Sequence, residues 1–138
     1  MKLFKVSFFL AVVVALCIPA VSQTQLLVDV PFNFVAGGKS LPAGQYQVSP
    51  AFLWGDGGLH IRGSKGSAAM MTNNVQSPKA HRPSLVFVHT SDGYSLAQIW
   101  TSEHEGYELH LRPSVRTIIL TEEKKSIKSP EYVEIASK

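Results

Sequence analysis

Leu85-Val86-Phe87-Val88-His89-Thr90-Ser91-Asp92-Gly93-Tyr94-Ser95-Leu96-Ala97-Gln98-Ile99-Trp100 decides the fold class. Two runs rich in β-branched and aromatic residues flank Ser91-Asp92-Gly93, a composition suited to a tight chain reversal. Residues 85–89 set Leu85, Phe87 and His89 on one face and Val86 and Val88 on the other. Residues 94–101 alternate too, with Tyr94, Leu96, Gln98 and Trp100 on one face and Ala97 and Ile99 on the other. Apolar groups on both faces place this hairpin centrally in a sandwich or a closed barrel.

Strand patterns continue on either side. In residues 25–35, Leu26, Val28, Val30, Phe32 and Phe34 share a uniformly apolar face. Pro31 cannot donate to a ladder, so this strand is expected at an edge or with a bulge there. Ala36-Gly37-Gly38-Lys39-Ser40 and Leu41-Pro42-Ala43-Gly44 are turn chemistry, and Tyr46 and Val48 then alternate with polar neighbours. The proline-glycine turn presets a chain reversal, after which the Tyr46 ring packs and its hydroxyl reaches backbone. Residues 59–62 and 68–75 form a hairpin about Gly63-Ser64-Lys65-Gly66, and the proline-bracketed residues 76–83 read as a loop. Gly106 opens a further strand, with Tyr107, Leu109 and Leu111 facing in. Val115, Ile118 and Ile119 fit helical spacing behind an N-capping Ser114, whereas Thr117-Ile118-Ile119 favours a strand. Tyr132, Val133 and Ile135 suit a last short strand.

Residues 1–22 read as a signal peptide. Lys2 and Lys5 form a positive start, residues 6–18 are uncharged and almost wholly apolar, and Ala20-Val21-Ser22 offers small residues at both positions a signal peptidase reads. Cleavage between Ser22 and Gln23 leaves a domain of residues 23–138. The apolar run falls short of the roughly 20 residues of a spanning helix, so the mature form is expected to have no membrane span. A lipoprotein signal would need a small residue before Cys17, and Leu16 stands there. Cys17 is the only cysteine, so the mature domain is cysteine-free and relies on burial rather than disulfides.

Processing also alters the charge. The whole chain carries 13 basic and 10 acidic residues, and loss of Lys2 and Lys5 reduces its net +3 to +1. That balance provides no basic stripe for nucleic acid.

The chemical motifs are thin. Gly38-Lys39-Ser40 imitates the end of a phosphate loop, but Asn33 stands where that loop needs glycine, and Leu41-Pro42 follows where it needs a helix. The five histidines, His60, His81, His89, His104 and His110, have no metal-ligand spacing, although His60, His89 and His110 lie on strands that could converge across a sheet. No serine occupies a nucleophile elbow, and nothing singles out a pair of carboxylates. Catalytic, cofactor-binding and metal-binding residues are therefore all expected to be absent. Trp54, in the glycine-rich stretch Phe52-Leu53-Trp54-Gly55-Asp56-Gly57-Gly58, has two readings, a loop residue folded back onto the core or a candidate ligand-contact aromatic of the kind that stacks on sugars or anchors partners; Trp100 reads as core.

Three markers carry a resemblance. They are Val30-Pro31-Phe32-Asn33-Phe34 with Gly38-Lys39 and Leu41-Pro42-Ala43-Gly44-Gln45-Tyr46-Gln47-Val48; then Thr72-Asn73-Asn74-Val75; then Leu85-Val86-Phe87 with Tyr94-Ser95-Leu96-Ala97-Gln98-Ile99-Trp100. In this order, over residues 28–112, the chain resembles a family of small exported β-rich bacterial proteins, common in acidobacteria, with no assigned activity. The resemblance implies an all-β domain after a signal peptide and supplies no catalytic residues. Residues 116–120 are more apolar and β-branched than that family's charged, helix-like stretch.

The expectation is a single all-β domain, an antiparallel sandwich or small barrel of about seven or eight strands, with residues 114–128 open between a short helix near the C-terminus and a strand. Its expected role is that of a non-enzymatic module of the periplasm or extracellular space, binding an envelope protein or a surface polysaccharide. The alternatives are a carrier of small apolar ligands, using a barrel or inter-sheet pocket, and a hydrolase.

Overall fold

A computed structural model describes residues 25–51, 57–124 and 130–138. The expected signal peptide, its Ser22–Gln23 junction and Trp54 lie outside the described residues. Ten strands and one helix follow in order: β1 (Leu26–Val30), β2 (Phe34–Ala36), β3 (Lys39–Leu41), β4 (Gly44–Pro50), β5 (Gly58–Gly63), β6 (Gly66–Gln76), β7 (Ser84–Thr90), β8 (Gly93–Trp100), β9 (Glu105–Leu109), α1 (Pro113–Lys124) and β10 (Glu131–Ala136). The all-β class holds, and the undecided segment after Ser114 is helical.

Every strand belongs to one open sheet. Antiparallel pairing runs β1-β4-β5-β6-β9-β8, and β7 then joins β8 to β10. The sheet curls until its end strands approach. There the Lys138 amide donates to the Leu27 carbonyl at 3.1 Å, and Lys138 Nζ reaches Asp29 Oδ2 at 3.1 Å. The strand count exceeds expectation because the stretch read as one interrupted strand is two. Its break falls at residues 31–33, where Pro31 cannot donate, and the Gly37-Gly38 turn pairs β2 with β3. Both glycines have positive φ, 55° and 81°, which a side chain disfavours.

β7 lines one whole edge of β8, so two strands share the other edge. β2 pairs in parallel with Tyr94 and Ser95, and β9 pairs with residues 98–100. β6 likewise serves two partners, β5 through residues 66–71 and β9 through residues 72–76. The β2–β3 hairpin packs against β6, with Lys39 Nζ donating to the Ser67 carbonyl at 3.3 Å.

The core fills the inside of the curl. Leu26, Val28 and Val30 alternate into it as expected, joined by Phe34, Tyr46, Val48, Ile61, Met70, Leu85, Phe87, Leu96 and Ile99. Fully burying each large apolar side chain contributes about 1.5–3 kcal/mol. Phe87 receives Phe32 and Phe34 edge-on, each with ring centroids 5.1 Å away, and Phe34 meets Tyr46 edge-on at 5.2 Å. The Tyr46 hydroxyl donates to the Pro42 carbonyl at 2.6 Å, the contact anticipated for that turn. The Tyr46 ring lies over Gly63, its register partner on β5; a Cβ there would stand 2.6 Å from Cε1.

One expected face assignment is corrected. Val86 pairs with Gln98 but Phe87 pairs with Leu96, so Ala97 is the extra residue of a bulge. The alternation changes phase there. Tyr94, Leu96 and Ile99 serve the core, whereas Ala97, Gln98 and Trp100 lie on the outer face with Val86 and Val88. Helix α1 covers part of that outer face. Pro113 suits its first turn, and Leu111, Val115 and Ile119, four apart, pack on Val88 and Ala97. Leu111 therefore belongs to the layer beneath the helix and not to the interior. Arg112 anchors the helix entry by donating from Nη2 to the Gly38 carbonyl.

Candidate functional site

The interior of the curl is occupied by the ring cluster of Phe32, Phe34, Tyr46 and Phe87. A neighbouring cavity, lined in part by Gly37, His110 and Val115, has about 20 Å³, room for one water. The richer chemistry lies outside, where the loop of residues 77–83 leads into β7.

That loop is clasped to residues 101–105. The Ser77 amide donates to the His104 carbonyl at 3.0 Å and the His81 amide to the Glu103 carbonyl at 2.8 Å. His104 Nδ1 lies 3.0 Å from the Ser77 carbonyl, and His81 Nε2 lies 3.1 Å from Ser77 Oγ. These bonds hold the His81 imidazole flat on the Trp100 indole, with centroids 3.8 Å apart and planes 2° from parallel. On its far side the indole covers Gly106, its partner on β9; a Cβ on Gly106 would lie 2.6 Å from Cε3. Trp100 is thus 4% exposed, and its Nε1 is buried without a hydrogen-bond partner. Such an orphaned donor costs about 1–3 kcal/mol.

His81 also lines a solvent-open cleft of about 350 Å³ with Ala80, Arg82, Glu134 and Ala136. Pairing of β10 with β7 brings the last two residues here, Glu134 opposite Val86 and Ala136 opposite Ser84. Ser84, wholly buried, donates from Oγ to Glu134 Oε1 at 2.7 Å and fixes that carboxylate. Arg82 is exposed and has no side-chain partner among the described residues. The cleft therefore holds a free guanidinium and an anchored carboxylate from elements some fifty residues apart, beside a rigidly backed aromatic ring.

The remaining sequence candidates are scattered. His60, on β5 opposite Ser49 and Ala69, is separated from β7 by three strands in the sheet order. His89 stacks on Tyr94 at 4.3 Å and lies 3.5 Å from Glu131, while His110 follows β9. The convergence considered for His60, His89 and His110 does not occur, because β6, β9 and β8 intervene between β5 and β7. Among the described residues no three His, Cys, Asp or Glu side chains are placed to hold a metal ion. Gly38-Lys39-Ser40 passes from a turn into β3 and not into a helix. Trp100 is buried as expected but on the outer face, where it backs His81. His81, Arg82 and Glu134 were not foreseen as neighbours; the one available hint was a histidine-arginine pair in a proline-bracketed loop just before a core strand. Among the described residues no helix is long and apolar enough to cross a membrane.

No protein-family model matches the chain, and neither a curated protein nor a solved structure matches it.

Proposed function

We propose that this is an exported, non-enzymatic binding module of the cell envelope or extracellular space, which takes a surface polymer or a protein segment into the cleft between residues 80–82 and β10. The observation that carries the reading is the cleft itself: a free Arg82, an oriented Glu134 and a backed His81 ring in one solvent-open space of about 350 Å³. Polar groups of both signs beside a flat ring offer orientation and contact area together. The signal-like residues 1–22 support export, and the β-rich domain after them supports a role outside the cytoplasm. The filled interior turns the choice of site from a lumen to the outer face.

The test is a thermal-shift screen of the exported protein against envelope glycans, peptidoglycan fragments, lipids and divalent metals. A ligand at a hundred times its dissociation constant adds roughly 2.7 kcal/mol, a rise of order ten degrees for a domain this size. A rise that disappears in an Arg82→Gln, Glu134→Gln double variant supports the cleft. A rise unaffected by those changes moves the site elsewhere, and a chain retained in the cytoplasm of a native-like host refutes export.

A further inference from the structure

We infer that the cleft selects a sugar bearing a carboxylate, a hexuronate, either free or as a unit of an acidic polysaccharide; the inference rests on the cleft being the binding site. Three features of the cleft, each on a different side chain, converge on that chemistry.

The first is Arg82. Its guanidinium is permanently charged, planar and free of side-chain partners, and it shares the cleft with Glu134 without forming an ion pair. A free guanidinium meets a ligand carboxylate with two parallel hydrogen bonds, the strongest neutralising contact such a site can offer. The second is Glu134. Ser84 engages Oε1, which orients the group and leaves Oε2 to accept hydrogen bonds. A second negative charge is repelled there, so phosphates and dicarboxylates fit poorly, whereas hydroxyl donors fit well. The third is apolar. The His81 ring is held from behind by Trp100, and the methyl groups of Ala80 and Ala136 complete the lining. A pyranose ring has a flat C–H face for that surface. A small zwitterionic amino acid such as alanine satisfies Arg82 and Glu134 but has no ring to lay against His81.

Neither charge alone would select a uronate. A cleft with Arg82 only would take any anion, and one with Glu134 only would take any polyol or amine. The pair demands one acceptor charge and several neutral donors on the same small ring. At about 350 Å³ the cleft stands near the lower end of small-molecule sites, matching one sugar unit with its neighbours in solvent. A polymer can therefore be gripped along its length without its ends.

The experiment titrates the exported protein with methyl galacturonoside, the neutral methyl galactoside and alanine, following the His81 ring signals by NMR. Oligogalacturonate in a parallel arm separates a polymer ligand from a free sugar. The uronate is expected to shift His81 and to bind at least tenfold more tightly than the neutral sugar. Arg82→Gln should remove that preference while leaving the melting temperature unchanged, because the side chain is exposed and unpaired. Raising the salt from 50 to 500 mM should weaken the uronate and not the neutral sugar. Equal binding of both sugars, stronger binding of alanine, or a uronate preference that survives Arg82→Gln overturns the inference. Silence of His81 in every arm overturns it as well. If an envelope glycan or peptidoglycan fragment from the thermal screen still raises the melting temperature in that case, the binding role stands with a different ligand.

Discussion

Replacing Gly106 by alanine tests the most compressed contact at the candidate site. In an open strand the change would be favourable, because glycine there is about 0.5–1 kcal/mol worse than alanine. Here the added Cβ would stand 2.6 Å from Trp100 Cε3 and 2.8 Å from the Ile99 carbonyl oxygen. The oxygen is backbone and the indole is pinned by His81, so neither neighbour yields freely. Overpacking of this kind costs about 1–3 kcal/mol. The expected net loss is ~1–2 kcal/mol. With an unfolding entropy of about 2.1 cal/mol/K per residue, that lowers the melting temperature by about 4–8 °C. Calorimetry measures the loss. Near-ultraviolet circular dichroism in a Trp54→Phe background, where Trp100 is the sole tryptophan, should show the indole band altered well below the transition. Gly63→Ala supplies the contrast, since its Cβ would press the Tyr46 ring at 2.6 Å; it should destabilise the fold and leave the Trp100 band intact. A Gly106→Ala protein as stable as the parent, with an unchanged Trp100 band, would refute both the packing and its link to His81.

Three further substitutions have defined outcomes. Tyr46→Phe removes the 2.6 Å bond to Pro42 and should cost ~1 kcal/mol near neutral pH by urea melting. Burial raises the Tyr46 hydroxyl above its usual 10.0, so folding favours the protonated phenol; its contribution is complete below about pH 10 and is lost as pH climbs through the higher folded value. The parent should therefore lose more stability than Tyr46→Phe between pH 9 and 11, and parallel losses would contradict this. Deleting Ala97 removes the bulge and leaves Gln98 opposite Val86 and Ile99 opposite Leu85 in unbroken alternation, so the variant should keep a dispersed amide spectrum and a cooperative melt; loss of either would disprove the phase change. Phe87→Ala empties the centre of the ring cluster and should cost about 3–5 kcal/mol by chemical denaturation, so a loss below 1 kcal/mol would show that the rings do not organise the core.

The hairpins were legible because each required only local information. Residues 84–100 combine two runs rich in β-branched and aromatic residues with a Ser-Asp-Gly turn, and a Gly63-to-Gly66 turn likewise marks the β5–β6 hairpin. The Tyr46–Pro42 contact was legible for the same reason, its partners being four residues apart. The Ala97 bulge was hidden because Leu96, Ala97 and Ile99 are apolar in both phases, so sequence alternation alone could not register the slip. Residues 115–119 were ambiguous because β-branched residues suit a strand; the choice was made by Val88 and Ala97, which accept a helical stripe of Leu111, Val115 and Ile119. Strand order, and with it the cleft, depends on pairings between distant segments. Nothing in the vicinity of His81 and Arg82 announces Glu134, which arrives through the register of β10 on β7.

The stitch between Lys138 and β1 has a consequence for how the molecule is made. Its partners, Lys138 and Asp29, stand 109 positions apart, and the ladder of β10 on β7 also spans more than forty. As the chain is synthesised, β1 can pair with β4 early, but its other edge has no occupant until residues 131–138 arrive. Contacts so remote in sequence make folding slow, and an unpaired strand edge left waiting invites pairing with another chain. The step most exposed to misassembly is thus the last one, and whatever shelters β1 during that interval governs how much of the protein ends up folded.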